Sequence, residues 1–154
     1  MIQRLKLVLA LTVLMALMVI SGCGLFEKQL KVVAVEENKI VETVPARAGM
    51  PLTIKFIHSV QKTPVEEDLE FDGEGWVVHR TRYKSQGVGL PFMESDGEFR
   101  REGEWFVMDG MDRRIDRLSL RTGVGTQLTL MLDGNELKLY EMFEPGTRID
   151  LLVE

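Results

Sequence analysis

From about residue 30 onward the chain alternates apolar and polar positions with the period of two that marks a half-buried strand. In PLTIKFIHSV, Leu52, Ile54 and Phe56 fall on one face and Thr53 and Lys55 on the other. VEEDLEF repeats the pattern, with Val65, Leu69 and Phe71 in phase against Glu66, Asp68 and Glu70. LKVVAVEE and NKIVETVPA are short, Val- and Ile-rich, and separated around Asn38; GWVVHRTRY follows a glycine-rich turn at Asp72 to Gly75; EWFVM is brief. RIDRLSLR sets Leu118 and Leu120 against Arg117, Ser119 and Arg121. QLTLMLDGNELKLYEMF reads as a hairpin, because Asp133-Gly134 supplies the positive φ of a tight turn. EPGTRIDLLVE closes with a Pro-Gly turn and a last strand. Roughly eight to ten short, mostly antiparallel strands predict a single all-β domain, a sandwich or partly closed barrel. No segment after residue 22 sustains a helical period.

The first 22 residues differ. Arg4 and Lys6 precede the apolar run LVLALTVLMALMVI, which is shorter than the ~20 residues a spanning helix needs and fits a signal-peptide core. Ile20-Ser21-Gly22-Cys23 follows and resembles the lipobox of bacterial lipoproteins. That resemblance implies acylation of the Cys23 thiol and cleavage before it. The expected organisation is a removed signal peptide (1–22), a lipidated cysteine with a short tether (23–29), and the β domain (30–154). The expected address is the bacterial cell envelope, lipid-anchored and facing the periplasm or cell exterior.

Cys23 is the single cysteine, so after acylation neither disulfides nor thiol chemistry remain. Losing residues 1–22 removes two basic and no acidic residues and takes the formal charge from −5 to −7. An acidic domain repels phosphate backbones, which argues against nucleic acid.

KFIHSVQKTPVEEDLEF, residues 55–71, concentrates the candidate chemistry. Period two places His58 in phase with Phe56 and turns Ser59 to the other face, so His58-Ser59 is no hydrolase dyad. Lys62, Thr63 and Pro64 read as a turn. Three roles remain open: a strand–turn–strand corner, a recognition loop, and an active site in which Glu66 approaches Lys62 or His58. His58 and His79 lack metal-ligand spacing, and no metal or other cofactor is expected. VEEDLE reads as a solvated acidic face. In SQGVGLPF, Gly87 and Gly89 permit close backbone approach, without the βαβ context of a dinucleotide site. Arg80, Arg82, Lys84, Arg113, Arg114, Arg117 and Arg121 form a basic subset able to clamp a carboxylate.

FIHSVQKTPVEEDLEF, TRYKSQGVGLPF, GEWFVMDGMDRRIDRLSLRTG and EPGTRIDLL together resemble a small bacterial domain family of uncharacterised function. Its members are commonly encoded beside, or fused to, TAXI-type subunits of tripartite ATP-independent periplasmic (TRAP) transporters. The resemblance implies an accessory or binding module acting with such a transporter for small organic anions. His58, Ser59, Lys62, Thr63, Glu66, Tyr83, Ser85 and Arg121 are its candidate recognition residues. The competing expectation is a small extracytoplasmic hydrolase or ligand-binding enzyme using His58, Lys62 and Glu66.

Overall fold

A computed structural model describes residues 28–154. The expected signal peptide, Cys23 lipidation and most of the expected tether lie outside the described residues. In chain order the strands are β1 (Gln29–Ala34), β2 (Lys39–Pro45), β3 (Met50–Ile57), β4 (Pro64–Phe71), β5 (Trp76–Tyr83), β6 (Glu98–Glu102), β7 (Trp105–Ile115), β8 (Leu118–Arg121), β9 (Thr129–Leu132), β10 (Asn135–Lys138) and β11 (Arg148–Val153). A 3-10 turn spans Glu94–Asp96, and one α-helical turn, α1 (Leu139–Met142), precedes β11.

The strands form two antiparallel sheets, ordered β2-β1-β11-β8 and β10-β9-β3-β4-β5-β7-β6. The sheets do not close into a barrel, so the expected all-β architecture is realised as a sandwich. Leu30, Val32 and Ile149 of the smaller sheet pack against Leu52, Phe71, Trp76, Leu130 and Leu132 of the larger in one core. Each such side chain contributes ~1.5–3 kcal/mol on burial. The larger sheet also has a second, smaller core in which Leu90, from the connection between β5 and β6, covers Val65 and Tyr83.

The hairpin turn forms as expected. Leu132 pairs with Asn135, and Asp133 and Gly134 both take positive φ, 47° and 87°. Three boundaries and one whole strand differ from the sequence reading. RIDRLSLR is divided: β7 ends at Ile115 and β8 begins at Leu118, because the chain crosses between sheets at Asp116–Arg117. EWFVM is the start of an eleven-residue strand. Positive φ at Gly110 and Asp112 makes a bulge there, after which pairing resumes at Arg113 opposite Val78. LYEM leaves the hairpin as α1 and buries Leu139. β6 is an edge strand of sequence EFRRE, whose charges hid it from the apolar pattern.

Candidate functional site

The β3–β4 corner is built around His58. β3 ends at Ile57, so His58 opens the turn and does not continue the strand. Its backbone N–H donates to the Thr63 carbonyl at 2.9 Å, and Lys62 N–H donates to the His58 carbonyl at 2.9 Å. Lys62 takes φ +54°, which closes the turn. The imidazole is buried, and Nδ1 accepts from the backbone N–H groups of Val60 at 3.2 Å and Gln61 at 3.1 Å. A nitrogen accepting two hydrogen bonds carries no proton, which assigns the proton to Nε2. Nε2 then donates to the Val88 carbonyl at 3.2 Å. One side chain thereby ties the corner to the loop at residues 84–92. Gly87 permits that approach: a Cβ there would lie 2.8 Å from Gln61 Cγ and 3.2 Å from His58 Cε1.

The other predicted residues divide between this junction and distant positions. The Tyr83 hydroxyl donates to the Pro91 carbonyl at 2.5 Å, and burial pushes its ionisation up. Ser85 Oγ lies 3.5 Å from Gln61 Oε1. Thr63 Oγ1 is buried without a hydrogen-bond partner among the described residues, while Ser59 and Lys62 are exposed. Glu66 does not approach Lys62 or His58. Strand alternation turns it to the outer face, where its cross-strand neighbour Arg82 donates to it through Nε, at 2.7 Å, and Nη2. Asp68 is held on the same face by Arg80 Nε at 2.8 Å and Thr53 Oγ1 at 2.8 Å. Arg121 stands on β8 of the smaller sheet and donates to the Gly146 carbonyl at 2.5 Å. His79 sits at the β5 irregularity, 3.0 Å from Asp112. Among the described residues, no three metal-ligating side chains converge.

A second feature was not legible as a site. On the inner face of the larger sheet, Ile54, Glu67, Thr81 and Met108 form one row across β3, β4, β5 and β7. Glu67 thus occupies the apolar phase of its strand, between Val65 and Leu69, and the reading of VEEDLE as one solvated face is wrong at this position. The signal was available: an acid stands where alternation demands an apolar residue. Glu67 and Thr81 lie in the floor of a cleft of about 540 Å³, with Met111 and Arg113 beside them and residues 89–92, Ser95 and Asp96 forming the opposite wall. Thr81 Oγ1 donates to Met111 Sδ at 3.4 Å, a contact that the β7 bulge creates by turning Met111 inward. Burial pushes the Glu67 carboxyl above its ordinary range, and the Arg113 charge partly opposes that shift. Among the described residues, Arg113 makes no ion pair within 4.0 Å.

Residues 52–139, more than half of the chain, match the family model described as a domain of unknown function (DUF1850). No match was found among curated proteins or among solved structures.

Proposed function

The chain belongs to the DUF1850 family, and on that premise we propose that it is a lipid-anchored extracytoplasmic accessory module of a TAXI-type TRAP transporter for small organic anions. The lipobox resemblance supports the anchor, and the resemblance in the 55–71 and 81–92 segments supports the partner class. The observation that carries the reading is the polarity of the domain. Ala46 N–H donates to the Lys28 carbonyl at 2.8 Å, so the tether leaves beside the connection that leads to Met50. The His58 corner lies at the other end of β3, ~23 Å away at the usual rise per residue. There Val60 and Val88 are 71% and 91% exposed, although His58 bonds to the backbone of both. Apolar side chains held on a fixed backbone, at the end remote from the anchor, form a preorganised contact for a protein partner.

A hydrolytic role built on His58, Lys62 and Glu66 lacks comparable support. Glu66 is engaged by Arg82, and both His58 ring nitrogens are taken by backbone groups. The test is co-purification of the acylated protein from solubilised membranes. TAXI-type TRAP subunits are expected with the parent protein and lost with the Val60→Asp/Val88→Asp double variant, at an unchanged melting midpoint. Absence of those subunits, or equal recovery with the variant, refutes the assignment.

A further inference from the structure

The cleft over Glu67 carries an inference that goes beyond the docking role and stands on different residues. We propose that it binds a small zwitterion, a free α-amino acid with an apolar side chain. The carboxylate lies on Arg113 and the ammonium between Glu67 and Asp96.

The charges select this class. Among the described side chains, the cleft presents one guanidinium and two carboxyl groups. A guanidinium with no ion pair among the described residues offers a fork of donors that matches a carboxylate in bidentate geometry. A simple organic anion satisfies Arg113 but meets Glu67 and Asp96 with the wrong sign. A simple amine satisfies the acids and opposes Arg113. A nucleotide needs several cations or a nest of backbone N–H groups, and the cleft offers one cation. An acyl chain would cover Glu67 without supplying a charge and would offer nothing to Arg113, while Asp96 would keep only its bond from the Met93 N–H at 3.2 Å. A zwitterion offers an opposite charge to both signs, its one ammonium shared by the two acids.

The walls and the size agree. Leu90, Pro91, Phe92 and Met111 line the cleft and suit an apolar side chain. The volume of about 540 Å³ lies within the ~300–1,000 Å³ of small-molecule sites. Glu67 adds an independent sign of a site. A carboxylate in the apolar phase of a strand costs stability unless it is paired. No lysine or arginine lies within 4.0 Å of it among the described residues, and burial pushes its carboxyl up. An arriving ammonium supplies the missing charge and favours the ionised form. The loop that forms the outer wall is fixed by the Tyr83 hydroxyl on Pro91 and by His58 on Val88. The wall is therefore set before a ligand arrives, which lowers the ordering cost of binding.

The experiment is an NMR titration of the full chain in detergent, first with the twenty standard amino acids in groups. The tightest binder, with leucine as the initial probe, is then compared with its two halves, 4-methylpentanoate and 3-methylbutylamine. At least one apolar amino acid is expected to shift the Thr81, Gly89 and Met111 signals, and each half to bind at least ~10-fold more weakly. Glu67→Gln and Arg113→Gln are each expected to weaken binding ~10-fold or more. Arg113→Lys, which keeps the charge and loses the fork, falls between and serves if the glutamine variant does not fold. Three results would each overturn the proposal: no amino acid perturbing these signals at ~10 mM, a half binding as tightly as the whole, or folded variants binding like the parent. Transporter association is read on Val60 and Val88, so either assignment can fail without the other.

Discussion

Replacing His58 with alanine removes the side chain that joins the β3–β4 corner to the 84–92 loop. Three hydrogen bonds are lost: two to Nδ1, from Val60 at 3.2 Å and Gln61 at 3.1 Å, and one from Nε2 to the Val88 carbonyl at 3.2 Å. At ~1 kcal/mol net for each, the ceiling is ~3 kcal/mol. Val60 and Gln61 lie in an exposed turn where water replaces part of the bonding, which sets the expected loss at about 2–3 kcal/mol. For a domain of this length that lowers the melting midpoint by roughly 8–12 °C. His58→Asn separates the contributions. Its amide oxygen can still accept from the turn N–H groups but cannot reach Val88, so it should lose only ~1 kcal/mol. Denaturant unfolding gives the energies. Hydrogen exchange at the Leu90 amide, which donates to Gly87 at 3.2 Å, gives the loop's own protection. That protection should fall in both variants. A loss below ~0.5 kcal/mol for His58→Ala, with Leu90 exchange unchanged, refutes the clip.

Glu67→Gln should raise the melting midpoint at neutral pH. Burial lifts the Glu67 carboxyl in the folded state, so stability is fully present below the unfolded carboxylate range near ~4.3 and is lost as pH rises through the folded value. The gain over the parent should therefore vanish at acid pH, and paired melts at the two pH values check it. Gly134→Ala, at φ +87°, should cost about 1–2 kcal/mol by equilibrium unfolding, because the hairpin requires the left-handed region. Cys23→Ser should leave the protein unprocessed or release it from the membrane fraction, as fractionation and mass measurement would show; equal amounts of processed, membrane-bound protein would exclude the lipoprotein assignment.

Alternation was enough to identify the strands that line the main core, since a one-residue error would turn Leu52, Ile54 and Leu69 to solvent. Asp133-Gly134 fixed its hairpin because positive φ at two successive residues is a local demand. The β6 edge strand and the α1 turn escaped because tertiary contacts, rather than their own pattern, decide their conformation. The corner motif was visible as a cluster of unusual residues, yet its use was not. Nothing local tells that His58 reaches a carbonyl thirty residues away, or that Gly87 is needed to admit the ring. Glu66 and Glu67 show the same limit from the other side. They are chemically alike and adjacent, but alternation gives one to Arg82 on the outer face and the other to the cleft. Arg113 was legible as one cation among seven. Its place beside Glu67 depends on the bulge at Gly110 to Asp112, which no helix or strand period encodes.

The proposed role requires the end carrying Val88, remote from the expected anchor, to meet a transporter subunit. A photo-reactive amino acid placed at Val88 in the acylated chain, in living cells, tests it most directly. Glu74 serves as control, an exposed residue in the turn between β4 and β5 near the tether end. An adduct is expected between position 88 and a TAXI-type TRAP subunit, and none from position 74. No such adduct from position 88, or equal adducts from both positions, contradicts it.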